Sequence, residues 1–496
     1  MIGLPVLELV LLRRLRHRAA GRGAAAVRCP GPAADRPHPA AGHAARPRRR
    51  PAGAPEQGAP GPHSLPEGEQ RRLGVLAGWK DGPHLLTCRQ AEYTFGLLAR
   101  ALGKDEPDGL PSRELQRACD CLLEASVPEE VADAGRSLAV DWSDLETFSR
   151  PPPRGAGDCA GPEASWGHRR NNLRHDEDEL FFGYYLPAAI MVPGEQGPPV
   201  PELARRMTLS SCRHDPVPAF TPVLTAMPAA GIPLGDVLAD SGYAHRVPGN
   251  WASPLRRAGA ALIQDLHPHD RGPRGTSQGA IVANGNLYCP ATPRTLLELG
   301  PLARAATPEQ AAAHDAKTAE AARYKLGRLT RDDEDGYHRV RCPAAAGKVR
   351  CPLRTASMTL DRDRPEILAP PEHPQACCTR QTITIGPDVL AKTAQKHDYP
   401  SAAWRRSYAR RSGAERGFAT AKDPATSTIA RGWCRLTGLA PLMLFTTALL
   451  AVRNHRILAA WNARQDDSAR RAARGLPPRT RRRRRKSPAM AAAAPP

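Results

Sequence analysis

Two short apolar runs that each end in an aspartate constrain this chain more than any other feature. One is Arg136-Ser-Leu-Ala-Val-Asp141 and the other is Gly235-Asp-Val-Leu-Ala-Asp240. A strand that ends in Asp and a turn puts its carboxylate at the edge of a sheet, where a site can form. Between the two runs, residues 179–192 read as a long strand and 206–211 as a further strand. Residues 215–231 carry apolar side chains at helical spacing. The predicted order is Asp-strand, strand, strand, helix, Asp-strand, which is an α/β arrangement.

A third acid comes much later in the chain. Tyr408, Arg411, Glu415 and Lys422 stand in the pattern Y-x2-R-x3-E-x6-K. On one helix advancing about 100° per residue they fall within an arc of roughly 60°. That face would carry a carboxylate, two cations and a phenol. A carboxylate can hold Mg²⁺ and cations can hold phosphate. The plain alternative is a solvated, charged helix face.

The tetrad resembles the YREK signature of one large group of DDE transposases of bacterial insertion sequences. "AVDWSDLETFSRPP" looks like that family's first-Asp strand, "DVLADSGYAHR" like its second, and "ERGFATAKD" like the continuation of its Glu helix. The resemblance spans roughly residues 85–465. It is nearest to the actinobacterial branch, with a long insertion before the Glu. It implies a ribonuclease H-like mixed-sheet core with an N-terminal helical region and an inserted subdomain. It also implies that Asp141, Asp240 and Glu415 are the catalytic, metal-binding carboxylates, with Asp141 bridging two Mg²⁺ ions that Mn²⁺ can replace. Tyr408, Arg411 and Lys422 would contact DNA. The implied activity is strand cleavage and strand transfer on double-stranded DNA, both transposon ends and target, by a homodimer. Two alternatives stand beside it: an inactive descendant that only binds DNA, and a hydrolytic nuclease of the same fold. The chemistry explains the three acids. Two divalent ions about 3.5–4 Å apart can activate the nucleophile and stabilise the leaving oxygen, with no covalent enzyme intermediate.

Charge agrees with a polyanionic partner: 71 Lys and Arg stand against 50 Asp and Glu, a net charge of +21. Aromatics make up only 5% of the chain, which argues against a base-stacking single-strand binder. No P-loop or dinucleotide fingerprint occurs, so nothing supports ATP or NAD use.

The expected organisation has six parts. Residues 1–70 are an Arg/Pro/Ala-rich disordered segment. Residues 71–135 are helical, a region that contacts transposon ends in the family. Residues 136–275 and 396–465 are the two halves of the core, 276–395 the insertion, and 466–496 a basic disordered tail. Within the insertion, 307–326 reads as a helix and 365–385 as a β segment. The apolar stretch 436–452 contains Gly438 and Pro441 and reads as a core helix; no membrane partner is expected. The twelve cysteines are scattered, which suits reduced thiols and a cytoplasmic, nucleoid-associated protein. Cys342, Cys351, Cys377 and Cys378 are candidate Zn²⁺ ligands, but no CxxC pair is present and structural zinc is disfavoured. Asp144 and Asp265 compete for places in the site. Asp158, Asp176 and Asp178 read as surface charges; His267 and His269 suggest a metal, against the plainer reading of loop histidines that are solvated or satisfied by backbone.

Overall fold

The computed structural model describes residues 88–103, 109–152, 159–170, 178–303, 305–423, 429 and 434–479. The expected disordered segment 1–70, residues 71–87, Asp158, Asp176 and the basic tail from residue 480 lie outside the described residues. The chain separates into two compact units, residues 1–95 and 96–496. Of the first, only the opening turns of α1 (Cys88–Leu102) are described. All that follows concerns the second.

The protein is a mixed α/β fold around a seven-stranded sheet of mixed parallel and antiparallel pairs. The central strand β1 (Ser137–Glu146) runs antiparallel to β3 (Asp178–Val192), from Ser137 opposite Val192 to Glu146 opposite Gly183 without a break. On its other edge, β3 pairs with β2 (Ser165–Arg170), β4 (Ala204–Met207) and β5 (Ser210–Ser211). On the far side of β1, β6 (Asp236–Ala239) is parallel to β1, and β7 (Ala261–Gln264) is parallel to β6.

Alternation along the strands divides the core between two faces. Leu138, Val140, Val237 and Ala239 bury against Val217, Phe220 and Leu224 of α3 (Pro216–Thr225), the predicted helix after the third strand. α2 (Arg113–Ala125), within the expected helical region, buries Leu115, Cys119, Leu122 and Leu123, the i, i+4, i+7, i+8 positions of one helix stripe. On the opposite face of the sheet, Ala139, Val192, Leu238 and Ile263 pack with Trp404 and Ala414.

Those two residues belong to α5 (Ala402–Tyr408) and α6 (Ser412–Lys422), and here the sequence reading needs correction. The tetrad does not lie on one continuous helix. A 3₁₀ turn, Ala409–Arg411, separates Tyr408 from Glu415 and Lys422. Side chains compete with the helical ladder at that point. Ser412 Oγ donates to Ala409 O at 2.9 Å and Arg410 Nε donates to Ser407 O at 3.0 Å. Glycines set the depth of α6 on the sheet. A Cβ at Gly413 would lie 2.5 Å from Val192 Cγ1, and one at Gly417 would lie 2.7 Å from Ile190 Cγ1.

The insertion carries a three-stranded antiparallel sheet, β8 (Pro273–Ser277), β9 (Ala280–Ala283) and β10 (Asn286–Tyr288). α4 (Pro308–Tyr324) follows, started by a Thr307/Gln310 capping box. A second small sheet joins β11 (Gly327–Arg328), β12 (His338–Arg341) and β13 (Ile383–Ile385). Of the β segment expected over 365–385, regular strand is confined to β13.

The last helix, α7 (Leu439–Ala473), has a buried first half and an exposed second half. It runs eight residues into the segment expected as a tail. No helix among the described residues is long and apolar enough to cross a membrane. At its buried centre, Asn454 completes the edge strand β4. Its Nδ2 donates to Ala204 O at 2.7 Å and to Ser126 Oγ at 2.8 Å, and its Oδ1 accepts from Ala204 N at 2.8 Å. The helix thus satisfies polar backbone that the sheet leaves unpaired.

Candidate active site: three carboxylates around Arg411

Two of the candidate acids are brought together by strand register. β1 and β6 pair in parallel with Leu138 opposite Val237 and Ala139 opposite Leu238. Continuing that register by two residues brings Asp141 opposite Asp240. Asp141 is not at a strand end, as the sequence suggested, because long β3 carries the antiparallel ladder past it, with Asp141 opposite Ala188. It lies instead just beyond the parallel pairing, where β6 turns away.

Each aspartate uses one oxygen on backbone and presents the other. Asp141 Oδ1 accepts from Trp142 N at 2.9 Å. Asp240 is the N-cap of the one-turn helix Ser241–Ala244, where its Oδ1 accepts from Gly242 N at 2.9 Å and Tyr243 N at 3.3 Å. Both free oxygens meet the same guanidinium. Arg411 Nη2 lies 3.1 Å from Asp141 Oδ2 and 3.3 Å from Asp240 Oδ2. Arg411 Nη1 donates to Glu415 Oε1 at 2.7 Å. Glu415 stands in the first turn of α6, where the helix dipole favours an anion.

Three carboxylates therefore share one cation, and the most buried of them, Asp141, is perturbed. Burial pushes its carboxyl up to about 6; Arg411 opposes this, while Asp240 and Glu415 add to it. Arg411 stays charged: burial works against its guanidinium, but Tyr408, Asp141, Asp240 and Glu415 raise it overall. Its Nε is buried without a hydrogen-bond partner. Side-chain exposure climbs from 20% at Asp141 through 33% at Asp240 to 55% at Glu415, so the group opens to solvent on the Glu415 side.

The other predicted residues sit differently. Tyr408 is half-buried and stacked on Trp404, with ring centroids 4.7 Å apart at 13°. Burial drives its phenol well above the usual range. Lys422 is at the far end of α6 from Arg411, about 16 Å away at 1.5 Å per residue. There its Nζ donates to Asp144 Oδ1 at 3.1 Å. Arg169 holds the other Asp144 oxygen at 2.9 Å and also binds Glu146 and Glu179. Although Asp144 is partly buried, Lys422 and Arg169 together hold its carboxyl below the usual range. Asp144 is therefore paired with Lys422 and Arg169 and not with Arg411, the cation that gathers Asp141, Asp240 and Glu415. Asp265 is likewise engaged, accepting from Arg271 at 3.2 Å and Tyr399 at 3.0 Å. Asp178 is exposed at the start of β3.

The insertion cysteines divide between two apolar clusters. Cys342 and Cys351 bury with Cys289, which sequence spacing had not grouped with them, and Cys377 and Cys378 bury in the neighbouring cluster. Cys377 Sγ and Cys378 Sγ are 3.7 Å apart. Among the described residues, no three cysteine sulfurs lie within 4.8 Å of one another.

Sequence reasoning took Arg411 as a DNA contact and missed that it bridges all three acids. Its position four residues before Glu415 was the available signal, since an i, i+4 pair meets on a helix surface. No family model, curated protein or solved structure matches the chain.

Proposed function

We propose that this protein is a DDE transposase that cuts and joins DNA strands with Mg²⁺. One observation carries the reading: Asp141, Asp240 and Glu415, distant in sequence, converge on the guanidinium of Arg411. The sheet order gives further support. A strand pair running antiparallel through β1, then parallel through β6 and β7 with helices on both faces, is compatible with a ribonuclease H-like core.

The chemistry of the donors suits a hard divalent cation, although Arg411 stands between them in the free protein and their oxygens are not gathered as closely as one bound ion would hold them. All three donors are carboxylate oxygens, which suit Mg²⁺. Burial, with Asp240 and Glu415 adding to it, raises the Asp141 carboxyl, and a divalent charge would favour its ionised form. Asp141, Asp240 and Glu415 would hold the ions, which when bound supply charge neutralisation at phosphorus and activation of water or a 3′-hydroxyl. The backbone bonds to one oxygen of each aspartate fix the other toward the centre, so the rearrangement that binding requires falls on Arg411. Arg411 neutralises the acids in the free protein. Once a cation competes for them, its planar fork is beside the place where a phosphate would come and suits bidentate contact. The net charge of +21 supports a DNA partner whose affinity falls steeply with salt.

The test is a supercoiled plasmid bearing the cognate ends, incubated with Mg²⁺ and either the parent or Asp240→Asn. Asn caps a helix about as well as Asp, so the one-turn helix after β6 persists while the charge is lost. The parent should nick and join. The variant should bind DNA and give neither product. A variant that nicks and joins like the parent would overturn the assignment, and nicked but never joined DNA from the parent would point to a hydrolytic nuclease instead.

A further inference from the structure

We propose that His245, His267 and Asp270 form a second metal site, for a borderline ion such as Zn²⁺, that ties together the loops following β6 and β7. Their ligand atoms all lie within 4.8 Å of one another. Sequence reading favoured a solvated or backbone-satisfied loop residue at His267. It had no means of adding His245, which is 22 residues away.

The three histidine rings of this loop pair lie against one another. The His245 and His267 rings have centroids 4.0 Å apart. His269 stacks on His267 with ring centroids 4.9 Å apart at 14°, and its ring is 6.4 Å from that of His245. The backbone N of His269 donates to His267 Nδ1 at 3.3 Å in the metal-free protein, and a metal would take that Nδ1 lone pair in place of this long bond. Asp270 is held by Lys392, with Nζ at 2.9 Å from Oδ1 and 2.7 Å from Oδ2. A carboxylate has about four lone-pair directions, so that contact leaves room for a cation.

Two imidazoles and one carboxylate select a borderline transition ion over Mg²⁺, which prefers oxygen alone. The position gives such an ion a structural consequence. His245 is the C-cap of the one-turn helix whose N-cap is Asp240, and His267 follows the adjacent parallel strand β7. An ion here would brace the segment that carries Asp240. The inference rests on the histidines and does not depend on what the carboxylate group catalyses.

The experiment uses the full chain, stripped with chelator and titrated with Zn²⁺ and with Co²⁺ in excess Mg²⁺. The parent should bind one Zn²⁺ that Mg²⁺ does not displace, and bound Co²⁺ should show ligand-field bands without thiolate charge transfer. H245A/H267A should lose affinity by about 100-fold or more, since both nitrogen donors go. The metal-free melting curve should be the same in parent and variant, because these side chains reach solvent. D141N/D240N should keep the affinity. Absence of saturable binding, binding unchanged in H245A/H267A, binding lost in D141N/D240N, or a thiolate signature would each overturn the site.

Discussion

Asp141→Asn should stabilise the metal-free protein, and the gain should depend on pH in a definite direction. Burial, with Asp240 and Glu415 adding to it, carries the Asp141 carboxyl from 3.8 to about 6. A carboxyl whose folded-state pKa lies above its unfolded value holds its proton more tightly when folded. The stability it contributes is fully present below pH 3.8 and is lost as the pH rises through about 6. A rise of about two units at 1.36 kcal/mol each makes the loss roughly 3 kcal/mol. The side chain is 20% exposed, so solvent screening takes little from that figure. An amide does not titrate here, and it can still accept from Trp142 N and Arg411. D141N should therefore match the parent near pH 4 and exceed it by about 3 kcal/mol at pH 7.5. The measurement is urea unfolding of both proteins at several pH values without divalent ions. Mg²⁺ added at pH 7.5 should then stabilise the parent far more than the variant. A difference that is flat with pH, or a variant less stable than the parent at pH 7.5, would refute the reasoning.

Two packing predictions follow from the elements that position the site. Gly417→Ala places a Cβ 2.7 Å from Ile190 Cγ1 and should cost about 1–3 kcal/mol by lifting α6 from the sheet; Ile190→Ala in the same chain should recover about 1 kcal/mol of that as a coupling energy in a double-mutant cycle of unfolding free energies. Asn454→Ala leaves both the N–H and the C=O of Ala204 unpaired in a buried place and should cost about 2–4 kcal/mol, with faster amide exchange at Ala204 as the local readout.

The sequence by itself determined the local pieces. The apolar runs before Asp141 and Asp240, the long strand over 179–192, the helical character of 71–135 and 307–326, and a helix carrying Glu415 follow from patterns confined to a few neighbouring residues. Periodicity, capping and turn chemistry act over that range, so a linear reading captures them. Tertiary structure decided how the pieces meet. The parallel register of β1 on β6 sets Asp141 opposite Asp240 across about a hundred residues, and no local pattern encodes a register between distant strands. The break at 409–411 parted Tyr408, stacked on Trp404 within α5, from the helix of Glu415, and Arg411 at that break lies among three carboxylates. Lys422, which shares a helix with Glu415 and was predicted to share its groove, was drawn instead to Asp144, 278 positions away. The pairing of His267 with His245 and Asp270 was decided in the same way, by two adjacent strands ending side by side. A charged side chain settles on whichever opposite charge the fold brings within reach, and long-range strand pairing, which the local sequence leaves open, determines that choice.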